Sequence, residues 1–216
     1  MQDDTHRREA TASFFLVEAL RLSESQRPEG RNTSGLMLAG GAALFLHDQE
    51  IFRRFETVWD ETPKADYGRG QSLQSMTDRH VKDCREMNRA QLIEYLREMA
   101  PERVLPCLEG PHAVARALAQ ARTALDIEEI GCTLAALGNY DLAREVAGHK
   151  QLEDFRTRSI LWVIEAERLR DGVPLEAIDL SVLGLTEQGI GPWYASYIAL
   201  CVLQRLPYNG YPYPDW

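Results

Sequence analysis

Side chains able to do chemistry are few and scattered in this sequence. The histidines are His6, His47, His80, His112 and His149. None belongs to an H-E-x-x-H zinc pattern or to the E-x-x-H pair of di-iron helix bundles. "HDQE" at 47–50 and "RHVKDC" at 79–84 hold possible metal ligands, and His80 and Cys84, four residues apart, share a helical face. Two ligands on one amphipathic helix do not close a coordination shell, so no metal is expected. The G-x-S-x-G, P-loop and G-x-G-x-x-G patterns are absent. "LAGGAAL" carries glycines but not the lysine and serine of a phosphate cradle, which leaves helix packing as its use. Glu165 and Glu167 fall on different faces of a helix and cannot form an acid–base pair. A helical enzyme would require His47, Asp48, His80 and Asp83 to converge within hydrogen-bond reach. The expectation is a chain that is not an enzyme, with no catalytic residues, no cofactor and no metal.

What stands out instead is suited to recognition. The chain ends "LPYNGYPYPDW", with Tyr208, Tyr211, Tyr213 and Trp216 set among Pro207, Pro212 and Pro214. Such a tail is extended. Either it packs back over the last helices, or some of its rings serve as binding anchors together with Trp193 and Tyr194, since Tyr and Trp are enriched in interface hot spots. A second feature is a group of carboxylates at Asp126, Glu128, Glu129, Asp141 and Glu145. They form either a solvated face or a surface complementary to a basic partner.

The totals limit the possible partners. The chain has 216 residues, 44% hydrophobic and 26% charged, and a formal net charge of -9 with pI about 5.1. A phosphate partner needs a cationic face, so nucleic acid is not expected. The longest apolar stretches, near 35–46 and 195–203, are shorter than the ~20 residues of a membrane span, and no leader pattern opens the chain. No membrane association is expected, and the expected compartment is the cytoplasm. Cys84, Cys107, Cys132 and Cys201 lack metal-ligand spacing and read as reduced packing residues.

The elements that must position these residues are helical throughout. "EATASFFLVEALRL" places Ala12, Phe15, Val17, Ala19 and Leu22 in a broad apolar band. "SGLMLAGGAALFLHDQEIFRRFETVW" is apolar first and then amphipathic, with Ile51, Phe52, Phe55, Val58 and Trp59 at helical spacing. Leu92, Ile93, Leu96 and Met99 share a face, "PHAVARALAQARTAL" opens on proline, and "GPWYASYIALCVLQRL" does so after Gly191. Polar stretches at 23–34 and 61–72 read as loops. Strand alternation is absent.

One stretch, "GCTLAALGNYDLAREVA", repeats. Ile127, Ile130, Gly131, Leu134, Gly138, Tyr140, Ala143 and Ala147 fill a pattern whose 34-residue shift maps Ile127 to Leu161, Ile130 to Ile164, Gly138 to Gly172 and Ala143 to Ala177. Leu134 maps to Arg168 and Tyr140 to Pro174, so the second copy is degraded. Small residues let antiparallel helices approach, and glycine lets the chain turn between them. Asp126 with Glu129 is the expected capping pair of the first helix, and Asn139 the cap of the second.

Residues 127–147 resemble a tetratricopeptide-type helical hairpin, whose usual period is also 34 residues. Ile127 stands where that family has tryptophan. The fold expected is all-α: an irregular array of antiparallel helical hairpins, partly tetratricopeptide-like, in a single compact domain over 1–216, with degenerate repeats at about 93–190 and the extended tail at 207–216. In size, acidity, helical hairpins and the aromatic–proline tail after its last helix, the chain is similar to the all-helical immunity proteins of bacterial polymorphic toxin systems. That similarity implies a protein that binds a cognate, basic toxin domain and occludes it, using Asp126, Glu128, Glu129, Asp141, Glu145, Trp193, Tyr208, Tyr211, Tyr213 and Trp216. The alternative is a tetratricopeptide-like adaptor binding a short peptide in a groove.

Overall fold

The computed structural model describes residues 2–63, 70–81, 88–99, 101–180 and 191–203. Among them the regular structure is entirely helical, as expected. The helices are α1 (Gln2–Ser25), α2 (Thr33–Phe45), α3 (Gln49–Glu61), α4 (Leu73–Val81), α5 (Arg89–Met99), α6 (Pro101–Glu109), α7 (Pro111–Gln120), α8 (Ala124–Ala136), α9 (Tyr140–Ala147), α10 (Asp154–Arg170) and α11 (Gly191–Leu203). They form two compact units within what the sequence reads as one domain. One is drawn from residues 1–86 and 172–206; the other is built on 87–171. No helix among the described residues is long and apolar enough to cross a membrane.

The first unit is organised around helices that are apolar on every side. All of Gly35–Ala43 in α2 is buried, and so is α11 except for Tyr194 and Leu203. A helix without a polar face must be enclosed by others, and α11 packs on both α1 and α2. The close approach is made at Gly35: a Cβ there would stand 3.0 Å from the Trp193 Cα. Trp193 stacks on Tyr197, with ring centroids 5.3 Å apart. In α1 the buried stripe is Ala12, Phe15, Leu16, Ala19 and Leu20. Val17, assigned to the apolar band from sequence, is 51% exposed; the three- and four-residue steps run through Leu16 and Leu20 instead.

α2 and α3 are separate helices. His47 turns the chain between them with φ +56°, while the amides of His47 and Asp48 donate back to Leu44 and Ala43. This is a Schellman closure with histidine where glycine is usual. The Asp48 carboxylate then accepts from the Ile51 amide and starts α3. Ile51, Phe52, Phe55, Val58 and Trp59 are all buried, as their spacing requires. Gly40 admits α4, since a Cβ would lie 2.5 Å from the Thr77 hydroxyl. The reading of "LAGGAAL" as a packing sequence therefore holds at Gly40. Polar residues 23–34 are only partly loop, because α1 runs to Ser25 and α2 starts at Thr33.

In the second unit, Leu92, Leu96, Val104 and Ala136 bring α5, α6 and α8 together. The cap of α8 is Thr123, not the Asp126–Glu129 pair. Thr123 Oγ1 accepts from the Asp126 amide, and the Asp126 carboxylate accepts from the Thr123 and Arg122 amides. Asn139 occupies the N-cap of α9 but makes no capping bond with its side chain. Gly138, at φ +85°, closes α8 in a second Schellman turn: its amide donates to Ala135 and that of Asn139 to Leu134.

The 34-residue period survives at one landmark and fails at another. α8 ends at Ala136 and α10 at Arg170, and Gly138 and Gly172, φ +85° and +93°, follow them. Beyond Gly172 the copy breaks down. Pro174 takes the place of Tyr140, and Leu175–Ala177 form a single 3-10 turn where α9 would recur.

Candidate functional site at the junction of α8 and α10

α8 and α10 lie side by side and run in the same direction. Glu128 pairs with Arg156, and one turn later Ile160 fills the space over Gly131, where a Cβ would stand 2.6 Å from Ile160 Cδ1. Both contacts advance together along the two helices, which fixes the parallel register. α9 packs on both, and Thr157 Oγ1 donates to the Ala147 carbonyl at its end.

Charges line this junction in matched sets. Glu128 is 2% exposed and its carboxylate accepts from the Arg156 guanidinium. Glu165, also buried, accepts from Arg144 at 3.1 Å and Arg168 at 2.5 Å. At the C-terminal end of α8, Arg89 donates to the Ala136 carbonyl at 2.7 Å, to the Tyr140 hydroxyl at 3.0 Å and to Asp171 at 2.5–2.6 Å. Tyr140 in turn donates to Asp171 at 2.5 Å. A cation at a helix C-terminus also meets the negative end of its dipole. Burial alone would lower the Arg89 guanidinium, but its hydrogen bond to Asp171 and the charges around it hold it above its ordinary value. Burial, then the hydrogen bond to Asp171, raises the Tyr140 phenol. Burial pushes the Glu167 carboxyl up to about 7 against the opposite pull of Arg170 and Arg89.

Glu128 and Glu165 are each held by charge-assisted bonds from guanidinium groups, which favours a fixed shape over proton exchange at these two carboxylates. The outer edge of the same junction is different. Leu125 is 43% and Phe155 50% exposed, one near the start of each helix. The Arg156 guanidinium lies 4.8 Å from the Phe155 ring centroid while holding Glu128, so the ring sits beside α8.

The sequence-selected residues separate on this frame. Glu128 is not on a solvated face; it is a core carboxylate. Trp193 is likewise a core residue, 4% exposed against Gly35. Asp126 is committed to the α8 cap, which holds its carboxyl below the usual range. Glu129 is half-buried, 3.1 Å from Arg103, and burial raises its carboxyl. Asp141 and Glu145 are exposed on α9, Asp141 standing 3.7 Å from Arg144. Tyr208, Tyr211, Tyr213 and Trp216 lie outside the described residues, as do Asp83 and Cys84. His47 is an exposed turn residue and Asp48 the α3 cap.

Cys107, Cys132 and Cys201 are buried, and burial pushes the Cys107 thiol up to about 12. Sequence reasoning missed Arg89, Leu125, Phe155 and Arg156. The available signal was "DFR" at 154–156, where phenylalanine stands outside the apolar stripe of α10. No protein-family model, curated protein or solved structure matches this chain.

Proposed function

We propose that this chain is a non-catalytic, toxin-neutralising immunity protein that binds a cognate bacterial toxin domain and occludes it through an acidic surface of the second unit. The observation that carries the reading is the contrast across the α8–α10 junction. The buried carboxylates of the junction are matched by arginines, while Asp141 and Glu145 on α9 and Glu153 and Asp154 at the start of α10 are exposed. A rigid frame with an acidic rim loses little entropy on binding and steers a basic partner toward it. Co-expression with the protein encoded beside it tests this: the reading expects a stable complex and protection of the cell from that protein. Neither complex nor protection would refute it.

A tetratricopeptide-like peptide-binding adaptor is the second reading. It is favoured by the parallel register of α8 and α10 and by the left-handed glycines 34 residues apart. An adaptor binds a linear peptide of its partner as tightly as the whole partner; an immunity protein needs the folded domain.

A further inference from the structure

We propose that the outer face of the α6–α7 pair is the two-fold contact of a weak homodimer, in which Glu109 of each copy meets Arg116 of the other. The inference is independent of the neutralising reading and goes beyond it.

α6 and α7 pack on each other within the second unit, joined through Gly110. Each spends one side on its neighbours: Val104 and Cys107 of α6 are buried, as are Ala113 and Val114 of α7. The other side of α6 carries Leu105 and Leu108, 43% and 42% exposed. Three residues apart on one helix, they are surface neighbours. Glu109 lies one turn beyond Leu105 and continues the same face. Its carboxylate stands 3.7 Å from the Arg116 guanidinium, which ties this face to the exposed side of α7. Beside Arg116, Ala115 and Ala119 are exposed and leave room for a larger residue.

Charge selects the occupant. Residues 101–121 hold two acids, Glu102 and Glu109, and two bases, Arg103 and Arg116. With His112 neutral at pH 7, the helix pair has no net charge in a chain of -9. Such a face favours neither an acidic nor a basic partner. Two copies of this chain repel through their net charge, and an uncharged face is where they can approach. A two-fold contact further requires that when one residue meets a second, the second meets the first across the axis. Glu109 and Arg116 satisfy this: their side chains are 62% and 68% exposed, so each can exchange its own-chain partner for the copy's. The contact is small. Helices of nine and ten residues are about 15 Å long, too short to supply the ~800 Å² per partner of a standard interface. The dimer therefore dissociates on dilution.

Sedimentation equilibrium of the full chain over about 5 to 500 μM is expected to show monomer and dimer exchanging with concentration. Leu105→Glu should weaken the dimer at least about tenfold, while Val17→Glu, at an exposed apolar position of the first unit, should not. Glu109→Arg and Arg116→Glu should each be monomeric, because each then sets like charges across the axis. An equimolar mixture of these two variants should dimerise again, since both crossed pairs become attractive. Circular dichroism verifies that the variants are folded, as expected at exposed sites.

A chain that is monomeric throughout this range, a dimer that Leu105→Glu leaves unchanged, or a mixture that stays monomeric would overturn the assignment. So would a complex with the neighbouring gene product that Leu105→Glu abolishes, which gives the face to another protein. A monomeric chain that still forms a protective complex refutes the dimer alone; a dimer without any such complex supports it and refutes only the neutralising function.

Discussion

The helix contacts at Gly35 and Gly131 are built alike and finished differently. In each, a glycine removes the side chain that would keep two helices apart, and a large residue of the neighbour fills the gap: Trp193 over Gly35, Ile160 over Gly131. At Gly35 the contact is with Trp193, on whose ring Tyr197 stacks, and the polar groups beside it are the uncharged Asn32 cap and Ser196. Around Gly131 the packing is interrupted by the Glu128–Arg156 pair and, farther along α10, by Glu165 with Arg144 and Arg168. Apolar burial is non-directional, so the first junction gains stability without fixing which residue faces which. Charge pairs add little net stability but penalise every wrong register, since a slip strands a charge in the interior. The first arrangement suits a core. The second suits a surface whose shape must be held for another molecule.

The largest effect is expected from cutting the apolar junction. Trp193→Ala should cost about 3–5 kcal/mol in denaturant unfolding, with little dependence on pH or salt. Glu128→Ala comes next, at about 2–4 kcal/mol, because Arg156 is left without its carboxylate in a mostly buried place. The double change Glu128→Met with Arg156→Leu should recover most of that loss. If the double variant were as unstable as the single one, the pair would not be acting as a register device.

Glu167 sharpens the comparison through pH. Its folded value, about 7, lies above its ordinary 4.5. The folded state therefore holds more protons than the unfolded state between those values, and stability falls as pH rises through that window. Glu167→Gln should flatten this fall in thermal unfolding measured from pH 4.5 to 7, and an unchanged slope would count against the burial argument. The smallest effect is at His47, where glycine relieves the left-handed conformation. His47→Gly should raise stability by about 1 kcal/mol, read as a higher denaturant midpoint.

Helical class was legible because apolar residues recur at three- and four-residue steps in α1, α3 and α5, and because α2 and α11 are apolar throughout. The division of 35–59 into two helices was harder to see. Its marker is a histidine in a position that glycine usually holds, followed by an aspartate cap. The capping of α8 was misplaced by three residues, since Thr123-x-x-Asp126 and Asp126-x-x-Glu129 both satisfy the same pattern. The 34-residue period was visible in Gly138 and Gly172, and Pro174 correctly marked its decay.

The candidate surface was less legible. Exposure depends on which helix covers which, and a run such as Asp126–Glu129 shows its charge without showing that Glu128 turns inward to Arg156. Arg89 could not be found at all from spacing. It meets Tyr140 and Asp171 across 51 and 82 residues of chain.

Amide hydrogen exchange on the full chain, alone and with the product of the adjacent gene, tests the central claim most directly. The account predicts a stable complex in which protection concentrates in 124–131 and 153–160, the facing turns of α8 and α10. A complex that leaves both segments exchanging as in the free protein would contradict it.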